Sequence, residues 1–276
     1  MVALFPVTRR YRRTRAPMGV LFAALLAWLP AAASASPSPE QATTAAGESS
    51  FAVVELFTSQ GCNSCPRAEQ ALMRLGEQTR GMPVFPIEWH VDYWDYLGWP
   101  DPYALPEAER RQRSYGSALN SRIFTPQLVL NGRQVVRPAQ DYALVHSATL
   151  AAVGSARAAA EGLPAVVLRV PAQDDRSVQI EYRVTDAPSG CALTVVAVET
   201  GLENFVPRGE NRGRTLRHHN VVRGFVTVDL AAAADQSGQL RIELPPGVAR
   251  EASSIIGYVQ ERDTLQVIAA TQALPG

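Results

Sequence analysis

The sequence predicts two modules in series: an α/β module over residues 51–162 and an all-β two-sheet sandwich over 163–276. Three observations carry this. Phe51–Phe57 (FAVVELF) and Val84–Val91 are short β-branched and aromatic runs on either side of a segment with apolar residues at helical spacing, the pattern of a β-α-β unit. Asn131-Gly132 between Gln127–Leu130 and Gln134–Val136 is a hairpin signal, because that dipeptide matches strand twist. Beyond Leu163-Pro164 the chain changes to seven short candidate strands with no internal repeat.

The first 35 residues read as an address. Arg9, Arg10, Arg12, Arg13 and Arg15 precede an apolar run from Met18 to Leu29, and Ala31-Ala32-Ala33-Ser34-Ala35 follows, the order of a secretory signal peptide cleaved after Ala35. The run is about 12 residues where a bilayer needs roughly 20, so no membrane span is expected in the mature chain. Tyr11-Arg12-Arg13 stands where twin-arginine export wants an apolar pair, which leaves the route open. The expected location is the periplasm or the exterior. Residues 36–50 are small, polar and Pro-containing, a flexible leader.

In the first module the strand FAVVELF is stopped by Thr58-Ser59-Gln60-Gly61. A helix should follow, with Pro66 in its first turn, where a missing N–H costs little, and Ala68, Ala71, Leu72 and Leu75 on one face. The strand Val84–Val91 completes a crossover that implies parallel pairing. An aromatic insertion and a polar helix, Leu105–Leu119, precede the hairpin, and an Ala-rich helix over Gln140–Glu161 closes the module. In the second, strands are expected at 166–170, 178–184, 191–200, 221–230, 238–245, 254–259 and 265–272, a spacing that favours an immunoglobulin-like sandwich. The segment Gly201–Asn220 is charged and polar and reads as a long loop.

All 26 basic residues are arginine, set against 26 acids; after residue 35 the balance is 21 against 26. A net charge of that sign, with no basic stripe, argues against nucleic acid or an anionic membrane surface as partner. Hydrophobic residues at 46% and charged residues at 19% exclude wholesale disorder.

Cys62-Asn63-Ser64-Cys65-Pro66 places two cysteines three apart where a strand gives way to a helix. Unpaired N–H groups and the helix dipole favour a thiolate there, so Cys62 is expected to be an exposed nucleophile with a depressed pKa. Cys65, a turn further in, would resolve a mixed disulfide. This spacing also serves zinc sites and structural crosslinks, but the strand-turn-helix context favours redox chemistry. Exported protein thiols or disulfides would be the partners, and no cofactor is implied.

The stretches VVELFTSQGCNSCP (Val53 to Pro66), HVDYWDYLGWPDPY (His90 to Tyr103), TPQLVLNG (Thr125 to Gly132) and GENRGRTLRHHNVVR (Gly209 to Arg223) resemble the exported thioredoxin-like family catalogued as domain of unknown function 1223. The resemblance implies a thioredoxin-like first domain and export, and supplies no substrate. Asn63-Ser64 departs from the Gly-Pro of thioredoxin proper. In thioredoxin-like folds a cis-proline faces the CxxC loop, and Thr125-Pro126 occupies that place in the order of elements, the alternative being a trans proline that opens an edge strand.

Around this pair, Glu55 stands near where thioredoxins keep a buried acid; it could take the proton of Cys65, or simply face an edge or be paired with an arginine. Trp89, Tyr93 and Trp94, with Thr125, are candidates for a substrate groove, the alternative being aromatic packing of the insertion. Cys62, Cys65 and His90 form an alternative soft metal set of the copper-delivery kind. A further alternative is a non-catalytic binding module with a fixed crosslink. Glu210, Asn211, Arg212, Arg214 and His218 are candidates for a polar network docking the second module on the first, the alternative being a plain charged loop in which His218 and His219 are solvated or offset arginines. Cys191 is expected to be a buried free thiol.

Overall fold

The computed structural model describes residues 50–158, 164–174 and 176–274. The signal peptide expected over 1–35 and all of the leader except Ser50 lie outside them. Among the described residues no helix is long and apolar enough to cross a membrane.

The first half follows the expected order: β1 (Ala52–Thr58), α1 (Cys65–Gln78), β2 (Val84–His90), α2 (Pro106–Ala118), β3 (Gln127–Leu130), β4 (Gln134–Val136) and α3 (Tyr142–Ala158). β1 and β2 pair in parallel, as the crossover through α1 requires, while β3 and β4 are antiparallel additions on the far side of β1. The hairpin turn has the anticipated chemistry, with Asn131 and Gly132 both at positive φ (49° and 62°) and Arg133 N donating to Leu130 O at 3.0 Å. α1 and α3 cover one face of this sheet, where Val54, Leu56, Leu72, Leu75 and Val145 pack together.

The second half departs from a free-standing sandwich. Its strands are β5 (Ala165–Gln173), β6 (Ser177–Ala187), β7 (Cys191–Glu199), β8 (Leu202–Val206), β9 (Arg214–His218), β10 (Val221–Asp229), β11 (Ala233–Glu243), β12 (Ser253–Glu261) and β13 (Val267–Ala273). Four of them continue the first-half sheet, giving the eight-stranded order β13-β12-β7-β10-β2-β1-β3-β4. The sheet therefore runs across the boundary expected at 162/163. β10 meets β2 in parallel at Val221 and Glu88, and Glu88 N donates to Asn220 O at 2.9 Å.

Strand burial explains why these strands join a larger layer. β7 and most of β12 are buried on both faces, as a strand between two cores must be. On one face Val195, Ala197, Ile255 and Val259 meet the three-stranded sheet β11-β6-β5. On the other, Val196, Val198, Ile256 and Tyr258 share a core with Val53, Phe57, Ile87, Trp89 and with Tyr115 of α2. The large sheet curls about this second core until β13 returns to the β3–β4 turn, where Val267 N donates to Asn131 O at 3.0 Å.

The span Gly201–Asn220, expected as a loop, is mostly the hairpin β8–β9. Its signal is alternation: Leu216 and His218 are buried while Thr215 and Arg217 face solvent, and Arg217 lies opposite Glu203 at 3.0 Å. The Gly209–Arg214 turn between these strands lies against the cysteine loop.

Candidate functional site

β1 ends at Thr58 and α1 begins at Cys65, so the intervening loop presents Cys62 to the unpaired N–H groups of the helix. Ser64 caps α1 without a side-chain hydrogen bond and instead sets its Oγ 3.3 Å from Cys62 Sγ. The Thr125-Pro126 bond is cis, and the Thr125 carbonyl lies 3.8 Å from the same sulfur. The Cys62 thiol is lowered to about 6, chiefly by a hydrogen bond from the Cys65 thiol, with Ser64 and Thr125 adding to it against the opposing effect of burial. Cys65 moves the other way: burial, then the adjacent Cys62 and the charge of Glu69, raise it well above an ordinary thiol. One sulfur is thus poised as thiolate and its neighbour as proton donor.

In the reduced protein the Cys62 13Cβ resonance is expected to titrate with a midpoint near pH 6, thiolate above and thiol below; a midpoint near 9 would refute the assignment. The folded value lies below the unfolded one, so the stability that this thiolate contributes is complete above about pH 9. It drains away as pH falls through about 6.

Cys62 is not the exposed nucleophile expected, since it is only 1% accessible. The turn between β8 and β9 is its cover. Asn211, fully buried, donates Nδ2 to both Gln60 O (2.9 Å) and Cys62 O (2.8 Å), Glu210 accepts from Asn63 N (2.9 Å), and Arg214 holds the Asn211 carbonyl oxygen at 2.6 Å. These are the expected docking residues, with Arg212 left exposed. Removing two hydrogen bonds at about 1 kcal/mol each should ease opening, so Asn211→Ala is expected to speed alkylation of Cys62 about thirtyfold. An unchanged rate by mass spectrometry would mean that the turn does not govern access.

The aromatic candidates divide. Trp94 and Tyr93 are at the site: Trp94 Nε1 donates to Thr125 Oγ1 at 2.7 Å, and Tyr93 is close enough to both sulfurs for their charges to act on its phenol. Gly61 permits the approach of the Trp94 segment, since a Cβ there would stand 2.8 Å from Trp94 Cβ. Trp89 is instead a fully buried core residue whose Nε1 donates to Glu55 at 2.8 Å. Glu55 is also away from the cysteines. Alternation along β1 turns it with Val53 and Phe57 into the curl of the sheet, where Arg111 binds both its oxygens (2.6 and 2.9 Å) and Tyr115 donates to it at 2.5 Å. The arginine-paired alternative holds. The acid beside Cys65 is Glu69, one turn along α1, whose Oε1 accepts from Thr58 Oγ1 at 2.5 Å.

His90 does not join the cysteines either, so the three-ligand set Cys62, Cys65 and His90 is not assembled; the metal-capable group among the described residues is Glu88, His90 and His218. Glu88 and His90 lie on the α1 side of β2, and His218 of β9 drops onto the same face. Asp101 accepts from His90 Nδ1 at 2.8 Å and from the backbone N–H groups of Gln60 and Tyr103. Burial pushes Glu88 up to about 7; at His90 burial disfavours the charge, but the Asp101 carboxylate outweighs it and holds the imidazole up at about 10. Glu69, Glu88 and Asp101 escaped the sequence reading. The available signal was a glutamate in the otherwise apolar run VFPIEWH, two residues before a histidine. Cys191 is a buried free thiol, as expected.

A crystal structure of an Agrobacterium tumefaciens protein is similar to this chain at 29% identity, covering 82% of this chain and 94% of the other with a TM-score of 0.57. HBP35 of Porphyromonas gingivalis shares the fold at 14% identity, with 82% and 75% covered and a TM-score of 0.59. No curated protein matches the chain. Residues 53–260, which hold both the cysteine loop and the hairpin that covers it, match the family described as Protein of unknown function (DUF1223), and the chain belongs to that family.

Proposed function

We propose that the chain is an exported thiol–disulfide oxidoreductase with a thioredoxin-like first half, acting on protein or small-molecule thiols and disulfides. The observation that carries this reading is the opposed pair at the start of α1, a Cys62 thiol lowered to about 6 against a Cys65 thiol raised well above the ordinary range. In the reducing direction the Cys62 thiolate attacks one sulfur of a substrate disulfide, forming a mixed disulfide and expelling the other sulfur as thiolate. Cys65 then loses its proton and attacks Cys62 Sγ, forming the Cys62–Cys65 disulfide and releasing the second substrate thiolate. Two electrons pass from the pair to the substrate, and oxidation of a substrate dithiol runs the same steps backwards. Thr125, Tyr93 and Trp94 line the approach, and burial of Cys62 makes the Gly209–Arg214 turn a gate for anything larger than a small thiol.

The test is equilibration of the purified chain across glutathione poises, with mass-shift alkylation as readout. A midpoint between about −270 and −120 mV is expected, whereas one below about −300 mV would identify a permanent crosslink. Cys62→Ser should abolish disulfide exchange and Cys65→Ser should accumulate the mixed disulfide. Exchange that persists in Cys62→Ser would remove the proposed nucleophile.

A further inference from the structure

The face of the sheet behind the cysteine loop holds four buried polar atoms with no hydrogen-bond partner that point at one another: Glu88 Oε1 and Oε2, His90 Nε2 and His218 Nδ1. Their side chains are fully buried, where an unsatisfied polar group carries a penalty that natural structures rarely leave standing. Glu88 Oε2 lies 3.8 Å from His90 Nε2 and 3.9 Å from His218 Nδ1, too far for hydrogen bonds. Ligands bound at about 2.0–2.1 Å to one tetrahedral ion stand roughly 3.4 Å apart. Both Glu88–His edges therefore come within about half an ångström of that spacing, and one ligand atom from each of the three residues lies within 4.8 Å of the other two.

We propose that Glu88, His90 and His218 bind a divalent first-row transition-metal ion, zinc being the reference case. Two imidazoles and a carboxylate are too hard for cuprous ion and too nitrogen-rich for magnesium or calcium. Asp101 supplies the outer contact that metal-bound histidines use, accepting His90 Nδ1–H at 2.8 Å and leaving Nε2 free for the ion. Glu69 Oε2, 3.2 Å from His218 Nδ1, is the nearest further donor. Three buried carboxylates, Glu69, Glu88 and Asp101, offset the charge of a divalent cation. Ligation through Nδ1 leaves the His218 proton on Nε2. The Gln60 carboxamide, whose nitrogen is 3.2 Å from that atom, then turns its oxygen inward and gives up its bonds from Trp99 and Asn204. The ion joins β2 to β9 and so fastens the hairpin that covers Cys62. The site contains no sulfur, and it stands or falls independently of the redox reading.

The experiment uses the full chain without a tag, reduced, stripped with chelator and titrated with Zn2+ by calorimetry. One ion per chain is expected, with binding retained in the Cys62→Ser/Cys65→Ser double variant and weakened at least about a hundredfold in His218→Ala and Glu88→Gln. Asp101→Asn, which keeps the shape of the site, should weaken binding about 10- to 100-fold. The Co2+-loaded wild type should show ligand-field bands without a thiolate charge-transfer band, a readout that needs no variant to fold. Absence of stoichiometric binding, loss of binding in the cysteine double variant, a thiolate band, or full binding in folded His218→Ala would each overturn the proposal.

Discussion

Glu55→Ala is expected to destabilise the fold by about 3–5 kcal/mol while leaving the Cys62 titration where it is. The carboxylate is fully buried and accepts four hydrogen bonds from three side chains: Arg111 through Nε and Nη2, Tyr115 through its hydroxyl and Trp89 through its indole. Truncation leaves a largely buried guanidinium without its counter-charge, with the neutral Tyr115 hydroxyl at 2.7 Å and Gln260 at 3.3 Å as its hydrogen-bond partners. For a chain of this size the loss corresponds to a fall of about 10 °C in Tm. Glu55→Gln keeps part of the hydrogen bonding and should fall between. Denaturant melts give the stability, and the 13Cβ titration gives the thiol. A shift of the Cys62 or Cys65 titration in Glu55→Ala, without loss of stability, would return Glu55 to the sulfur chemistry and refute its structural assignment.

The second large effect is expected at Gly132, where alanine should cost about 3–5 kcal/mol. Its φ of +62° already disfavours any side chain, and a Cβ there would stand 1.8 Å from the Leu265 carbonyl oxygen and 2.8 Å from its carbon. Neither is the end of a flexible side chain, so relief requires the β3–β4 turn and the β12–β13 turn to separate. That contact closes the curled sheet, which is why a turn residue should matter as much as a core one. Gly154 on α3 is the control: nothing lies within 4 Å of its virtual Cβ, and alanine should stabilise by about 0.5–1 kcal/mol. Equal effects at the two positions, in matched denaturant melts, would refute the closure argument.

Local patterns in the chain were legible where a residue's neighbours in sequence are also its partners in space. The helix after Cys62 follows from Pro66 and the spacing of Ala68, Leu72 and Leu75; the hairpin follows from Asn131-Gly132; and the boundaries of β6, β7 and β10 fall within a few residues of their alternation. The Cys62 pKa direction is of the same kind, because Ser64, Cys65 and the helix end lie within one turn. Partnerships across the sheet were not legible. Seven strands at short spacing suit a separate sandwich and an extension of an existing sheet equally well. The choice was made by the pairing of Val221 with Glu88 and by cores on both faces of β7 and β12.

By itself the sequence determined the two sulfurs, the helix that polarises them and most of the succession of strands, because each rests on backbone preferences over a few residues. Only the tertiary structure decided which face each strand residue occupies. It thereby sent Glu55 and Trp89 into the curl of the sheet and gathered Glu69, Glu88, His90 and His218 behind the loop. It also laid Asn211 over Cys62. The period of a strand is two, so one step of register exchanges the faces, and nothing short of the assembled sheet fixes that step.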